Sequence, residues 1–281
     1  QAEFEGHRIE HHRAVAAMLE GQLGVAARRG RHLYEAGDLD EAVTVLLEGA
    51  LHCFRGARNV LGWELLLLRE TALRRLKVAD TDLRWAEGWM VKERFLARRE
   101  EFPAVLRLVE QVLEKTEKTP GARKLRAMAW NRKGSIHRLM SEPEEARVCL
   151  NKAMQTALDD PKIISHAMEE LGTLELAYGT PILAARFYEG ALEAASQLDD
   201  KDRYYQVRTN MAAVYRRQGD IESAREHLQA SLVYYEQTGS KRAQSRCLND
   251  MAELDRFTGD LQLAEEGYRR ALSLLEALGD Q

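Results

Sequence analysis

Apolar and small residues recur along this chain at helical spacing, and in its second half the pattern repeats every 40 residues. The three repeating segments, YGTPILAARFYEGAL, QGDIESAREHLQASL and TGDLQLAEEGYRRAL, begin at Tyr178, Gln218 and Thr258. In each, a glycine is followed five residues later by an alanine, and four residues after that by a larger apolar residue. Glycine ends helices readily, and a small residue facing a large one lets two helices pack closely. The pattern therefore predicts an array of paired helices, because a fixed period of this length is typical of helical repeats.

The same register extends, with some degeneracy, over most of the chain. Its six anchors are Gly37/Ala42, Arg99/Ala104, Ser141/Ala146, Gly179/Ala184, Gly219/Ala224 and Gly259/Ala264. All five prolines fall at or just before a predicted helix start, where proline sacrifices no internal hydrogen bond. The predicted helices are 5–19, 22–36, 39–53, 57–78, 82–99, 103–117, 121–139, 143–157, 161–178, 181–196, 201–217, 221–237, 241–257 and 261–277.

Two parts of the chain depart from this register. Residues 1–20 are expected to form a helix without repeat character, which we interpret as the end of a preceding domain, and residues 21–281 form the array. Within the array, the segment 54–80 is too long for one unit and too short for two. We expect there either one long unpaired helix or a degenerate pair broken near Gly62.

Composition and charge narrow the class of protein. The chain is 45% hydrophobic and 31% charged, with a net charge of −4, which excludes a nucleic-acid surface spread over the whole protein. No apolar run is long enough to span a membrane. The 3 cysteines are scattered within predicted helices, which favours free thiols in a reducing compartment. We therefore predict a cytoplasmic protein.

The sequence offers no convincing catalytic or metal-binding constellation. His7 and His11 could share a helix face, but no third ligand is evident, so a solvated face is the better interpretation. Neighbouring acids such as Glu169 and Glu170 diverge by about 100° around a helix and do not converge on one substrate atom. We expect no enzyme activity, no cofactor and no metal.

The anchors resemble those of the tetratricopeptide repeat, in its variety of about 40 residues. The family's small residue on the first helix is matched by Gly172, Ala212 and Ala252, while Ser231 departs from the later small residue. The resemblance implies an all-α fold, a right-handed superhelix (α-solenoid) of about 14 antiparallel helices. The start of the chain is also similar to the junction in large bacterial signalling ATPases, some with kinase domains, where a nucleotide-binding region passes into a repeat sensor. None of the ATPase or kinase motifs is present.

In this family the first helices line a concave groove, and the resemblance assigns groove positions on this chain. Asparagine amides there could hold the backbone of an extended peptide, and arginines could pair with its carboxylates. The alternative is that these side chains form a solvated polar face. The candidate groove residues are Asn131, Arg132, Arg138, His166, Glu169, Thr209, Asn210, Arg216, Arg217, Arg246, Asn249, Glu253 and Arg256.

The sequence thus predicts a protein- or peptide-binding module of a bacterial signalling protein, with an acidic partner favoured. We expect neither nucleic acid nor a membrane as a partner. One alternative is a receptor for a short signalling peptide. Another follows from helix 261–277, whose apolar face is wider than packing on one neighbour requires. Either the native chain continues beyond Gln281, or this C-terminal helix self-associates and the protein is an oligomerisation scaffold.

Overall fold

The structure is a computed structural model that describes residues 2–22, 24–199 and 201–279 of the 281-residue chain. These residues form fourteen α-helices joined by short turns, and none of them lies in a β-strand. No helix among them is both long and apolar enough to cross a membrane. In chain order, α1 to α14 span Ala2–Met18, Ala26–Ala36, Leu39–Arg55, Asn59–Arg75, Leu83–Arg98, Phe102–Thr116, Arg123–Leu139, Pro143–Ala157, Pro161–Tyr178, Pro181–Ser196, Asp202–Gln218, Ile221–Gln237, Lys241–Thr258 and Leu261–Gly279.

The predicted all-α architecture is confirmed. Every predicted helix corresponds to one in the structure, with ends that agree to within four residues, and the bounds of α8, α9, α10 and α12 are identical to those predicted. Three of these four helices begin at a proline, at Pro143, Pro161 and Pro181. The agreement is closest where a rigid φ angle and a missing N–H group fix the first turn.

The chain forms two compact units, Gln1–Met140 and Ser141–Gln281, each with its own buried core. Within each unit, helices pack mainly on their neighbours in sequence, as in other repeat arrays. The predicted alternation of small and large residues is buried: Ala184 and Ala224 are fully buried, and Tyr188 and Leu228 are 2% and 1% exposed.

The irregular segment 54–80 contains one helix, α4, which is neither broken nor unpaired. Gly62 lies inside α4, and an aromatic ring of α5 occupies the space that a Cβ atom would need. α4 packs against α3 and α5. The buried Arg69 side chain links the three helices by donating to the carbonyl oxygens of Val43, at 3.0 Å, and Arg84, at 2.7 Å. Both sequence-based expectations for this segment are therefore wrong.

The second anchor of the register is displaced by one residue from the predicted Arg99/Ala104. Glu100, not Arg99, adopts the left-handed conformation with φ of 57°, in the way that Gly37 does at 83°. Correspondingly, Val105 is fully buried while Ala104 is partly exposed. The prediction failed here because neither candidate is a glycine, so the sequence does not mark which residue takes the left-handed conformation.

The glycines of the C-terminal unit serve two different purposes. Gly219 and Gly259 end α11 and α13 in the left-handed conformation, with φ of 83° and 90°. Gly179, in contrast, has φ of −122°, and a Cβ atom there would collide with the carboxylate of Glu175. That carboxylate is buried and accepts a hydrogen bond from Arg147 at 2.7 Å. Gly179 is thus required by the ion pair beside it and not by backbone conformation.

Serine hydroxyls fasten the two helices of each repeat in the C-terminal unit. Ser165 donates to the carbonyl oxygen of Ala191 at 2.9 Å, and Ser245 donates to that of Ala271 at 2.8 Å. In the repeat between them the direction is reversed, since Ser231 on α12 donates to a carbonyl oxygen of α11 at 3.3 Å. The departure at Ser231 therefore preserves the same contact from the opposite helix.

Candidate binding surface

The first helices α9 and α11 are joined by a buried polar cluster. The carboxylate of Glu169 pairs with the guanidinium of Arg203 at 2.5 Å and accepts a hydrogen bond from Asn210 Nδ2 at 2.5 Å. Arg203 also donates to the hydroxyl and carbonyl oxygens of Ser165, at 3.1 and 2.9 Å. Burial raises the pKa of Glu169, and the neighbouring Arg203 opposes that shift. This cluster holds α11 against α9. It also engages the Glu169 carboxylate, which the sequence analysis assigned to the groove, in contacts within the protein.

Thr209 has a similar position between α11 and α13. Its side chain is 2% exposed, its hydroxyl donates to the carbonyl oxygen of Tyr205 at 2.9 Å, and it lies 3.6 Å from Cys247 Sγ. The structure therefore places Glu169 and Thr209 in contacts between helices, whereas His166 on α9 is partly exposed.

The remaining candidates of the C-terminal unit lie nearer the surface. Arg217, Arg246, Asn249 and Arg256 are exposed, while Arg216 and Glu253 are partly exposed. Glu253 accepts a hydrogen bond from Arg256 at 2.7 Å and another from the Tyr268 hydroxyl, and these bonds lower its pKa. The whole of α13 carries four cations, Lys241, Arg242, Arg246 and Arg256, and three carboxylates, Asp250, Glu253 and Asp255.

Asn131, Arg132 and Arg138 belong to the other unit, on α7. Arg132 donates to the carboxylate of Glu93 on α5 at 2.6 Å. Burial raises the pKa of Glu93, which is 2% exposed, and Arg132 counteracts the shift. Asn131 is partly exposed, yet its Oδ1 atom is buried and accepts no hydrogen bond from the described protein atoms. Of the three candidates on α7, Asn131 thus has a buried side-chain oxygen that could accept a hydrogen bond.

An open cavity of about 320 Å³ lies where α13 begins. Arg242 and Arg246, one helical turn apart on α13, are both exposed and both line it. Ser240 immediately precedes α13, and its side chain makes no capping hydrogen bond to the first turn. The positive end of the helix therefore adds to the two guanidinium charges. The cavity is lined by Asp202, Gln206, Tyr235, Ser240, Arg242, Ala243 and Arg246.

Tyr235 gives this cavity a buried hydrogen-bonding group. It is 2% exposed, and burial raises the pKa of its phenol, so the hydroxyl is protonated at neutral pH. Two cations, a phenol and the amide of Gln206 can together hold an anionic group, with the Asp202 carboxylate as the opposing charge at the rim. The resemblance pointed to Arg246 but not to Arg242, which lies one turn before the positions that the family uses.

The structure also locates the residues considered for metal binding and for nucleophilic chemistry. Nδ1 of His12 lies 2.9 Å from Nδ1 of His32, which ties α1 to α2, while His7 and His11 are exposed. Within the described ranges, no three His, Cys, Asp or Glu side chains are arranged to hold a metal ion. The cysteines are buried, and burial raises the pKa of Cys53 and Cys247, which disfavours their reactive thiolates.

Comparison with known protein families agrees with this geometry. Family models described as tetratricopeptide repeat match residues 127–160 and residues 203–277. The chain contains a tetratricopeptide repeat (TPR) array. The second match spans α11 to α14, which include the cavity and most of the exposed candidates. No curated protein matches the chain.

Solved structures share the TPR fold at low sequence identity. A Rap protein complexed with Competence and Sporulation Factor superposes with a TM-score of 0.70 and 15% identity, covering 90% of this chain and 70% of that one. A STAND (signal transduction ATPase with numerous domains) protein with a TPR sensor, from Pyrococcus horikoshii, gives 0.68 and 12%, covering 97% of this chain and 41% of that one. BtubC from P. vanneervenii gives 0.60 and 16%, with coverages of 85% and 93%. At these identities, the likeness shows the fold.

Proposed function

We propose that this protein is a non-catalytic scaffold whose C-terminal unit binds an extended acidic segment of a protein partner along α11 and α13. The observation that carries the proposal is the cavity lined by Arg242, Arg246 and Tyr235. Guanidinium groups recognise carboxylates through paired charge-assisted hydrogen bonds, and the helix start favours the same charge. Asn249, exposed one turn after Arg246, is placed to hold the backbone of the same segment.

The carboxylates with raised pKa support binding over catalysis. Glu93 and Glu169 are committed to buried ion pairs with Arg132 and Arg203. Asp250 accepts a hydrogen bond from the adjacent Asn249 at 3.4 Å. Glu93 and Glu169 thus lie in different contacts between helices, and Asp250 is held by its neighbour on α13, so the three groups do not converge on one substrate.

The setting of this function is also part of the proposal. The fold likeness to a STAND sensor favours a role within a larger bacterial signalling protein, although this chain spans less than half of that neighbour's length. The three buried free cysteines favour a cytoplasmic location.

The test uses capped model peptides in fluorescence anisotropy at low salt. A peptide of alternating glutamate and serine should bind wild type more tightly than its glutamine counterpart. Arg242→Gln and Arg246→Gln should each weaken binding by about tenfold, because a hydrogen bond to a charged group contributes about 1.5–3 kcal/mol. The control Arg186→Gln, which removes an exposed charge on α10, should leave binding unchanged. Equal affinity for both peptides, or an unchanged affinity in both cavity variants, would refute the acidic specificity.

A receptor for a short signalling peptide is the second candidate. It is favoured by the fold likeness to the Rap protein, whose structure is a complex with Competence and Sporulation Factor. The two functions differ in how affinity depends on ligand length. A receptor for a short peptide gains nothing when the ligand is extended at both ends, whereas a scaffold for an extended segment gains affinity until the ligand spans α11 to α13.

A further inference from the structure

One face of α14 carries an exposed apolar stripe. Leu261, Leu272 and Leu275 are 66%, 56% and 45% exposed. One repeat earlier, the positions of the last two are occupied on α12 by Leu232 and Tyr235, which are 4% and 2% exposed because α13 packs on them. The stripe is therefore the face on which the array normally places another helix.

The stripe borders an open cleft of about 350 Å³ between α13 and α14. In the preceding repeat, the corresponding groove between α11 and α12 is filled by Leu254, which is buried with Ala224 and Leu228. The cleft on α14 has the apolar lining for such a filler, and its lining residues are Arg256, Leu261, Ala264, Glu265, Tyr268, Arg269 and Leu272.

Charge identifies what fits this face. At two inner junctions, the residue that follows the anchor alanine is an arginine paired with a carboxylate of the next helix, as in Arg225 with Asp255 at 2.6 Å. Arg147 makes the equivalent pair at 2.7 Å. On α14 the same position is Glu265, which would repel that carboxylate. A cation on the packing helix would instead match Glu265, and α14 itself carries one at Arg269, one turn further along, which pairs with Glu265 of its own chain at 2.6 Å.

The stripe is also self-complementary. Its members, Leu261, Glu265, Tyr268, Leu272 and Leu275, are spaced four and three residues apart in alternation, the pattern of a two-helix seam. An antiparallel pairing centred on Tyr268 places Leu261 of one copy opposite Leu275 of the other. It also brings Glu265 of each copy within one turn of Arg269 of the other. A two-fold axis makes this contact twice, as closed homodimers require.

We propose that the protein forms a homodimer in which the α14 helices of two copies pack antiparallel through this stripe. The inference is independent of the peptide-binding proposal, because the cavity residues Arg242 and Arg246 lie on α13 and not in the seam. Dimerisation would present two copies of the binding cavity, so that a partner with two acidic segments could engage both.

Sedimentation equilibrium on the 281-residue chain tests the proposal. Wild type should be a dimer, and the double variant Leu272→Glu/Leu275→Glu should be a monomer, because it places unpaired carboxylates opposite apolar residues of the other copy. Both positions are exposed within one chain, so the variant should keep its far-UV circular dichroism spectrum. The control Val148→Glu, at a 53% exposed position on α8, should remain dimeric.

A charge exchange tests the orientation. Glu265→Arg and Arg269→Glu should each weaken self-association by tenfold or more, since like charges then face each other across the axis. Mixing the two variants in equal amounts should restore dimers, because every contact in the mixed pair joins opposite charges. The proposal is overturned if wild type stays monomeric up to about 100 μM, if the seam variant still dimerises, or if mixing restores nothing.

Discussion

Gly172 on α9 packs directly against the ring of Tyr188 on α10, and this contact allows a sharp test of how the repeat is built. A Cβ atom at Gly172 would lie 2.9 Å from Cδ2 and Cε2 of that ring. Carbon atoms in contact normally sit about 3.5–4.0 Å apart. The ring cannot retreat easily, because Tyr188 is 2% exposed and its hydroxyl is hydrogen-bonded to Thr173 at 2.8 Å.

The magnitude follows from two opposing contributions. Replacing glycine by alanine inside a helix stabilises it by about 1 kcal/mol, whereas overpacking a buried contact costs about 1–3 kcal/mol. We expect Gly172→Ala to lower the free energy of unfolding by up to about 2 kcal/mol, because the obstructing atoms belong to a rigid ring that is held at both ends.

The matched control is Gly190→Ala on the other helix of the same pair. There the new Cβ atom would meet the sulfur of Met168 at 2.7 Å and its methyl carbon at 3.2 Å. These atoms are the flexible end of an adaptable side chain and can move aside, so the helical gain of up to about 1 kcal/mol should survive. Identical substitutions in one helix pair should therefore change stability in opposite directions.

Urea unfolding followed by circular dichroism measures both variants, and hydrogen exchange of the α9 and α10 amides shows whether the loss is local. The next repeat supplies a rescue, since Ala212 packs there with Leu228. The double variant Gly172→Ala/Tyr188→Leu should accordingly lose less unfolding free energy than the two single variants lose together, by about 0.5–3 kcal/mol. If Gly172→Ala is as stable as Gly190→Ala, the ring yields freely and the reasoning is wrong.

Two further substitutions test the register and the junctions by chemical denaturation. Glu100→Gly should raise the free energy of unfolding by about 1 kcal/mol, because a non-glycine residue in the left-handed conformation costs about 1–2 kcal/mol. Arg99→Gly, at the anchor predicted from the sequence, should lower the free energy of unfolding. If Arg99→Gly stabilises and Glu100→Gly destabilises, Arg99 is the anchor after all. Arg225→Met should lower the free energy of unfolding by about 1–3 kcal/mol, because it leaves the buried carboxylate of Asp255 unpaired. Arg225→Lys should have an intermediate stability. An unchanged stability of the methionine variant would show that the carboxylate is hydrated.

Much of the fold was accessible to sequence reasoning because the strongest signals are local. Gly219 and Gly259 end helices in the left-handed conformation, which side chains other than glycine rarely adopt. Pro143, Pro161 and Pro181 start helices through their fixed φ angle. These residues act through their own backbone, so their effect is visible without knowledge of what surrounds them.

What the sequence concealed depends on contacts between distant residues. Arg69 looked like any charged residue on a predicted helix, yet it is buried because two carbonyl oxygens from α3 and α5 meet at its guanidinium. Gly179 looked equivalent to Gly219, yet glycine is needed there because a Cβ atom would collide with a carboxylate on the preceding turn. In both cases the deciding partner comes from another helix or from an ion pair, which spacing alone does not reveal.

The candidate groove residues show the same dependence on contacts between distant residues. Glu169, Thr209 and Asn249 occupy one position of the repeat on α9, α11 and α13. Glu169 and Thr209 are 6% and 2% exposed, whereas Asn249 lies on the surface. Glu169 is covered by Arg203 and Asn210 of the following first helix, and Thr209 meets Cys247 of the next. Among the described residues, α13 has no following first helix, so Asn249 stays exposed.

On α9 and α11 the polar residue at this position packs against the following first helix, whereas Asn249 on α13 is exposed. The argument predicts that replacing Asn249 costs little stability but weakens peptide binding, whereas the same replacement at Glu169 does the opposite. Equal losses of stability at the two positions, measured by urea unfolding, would contradict it.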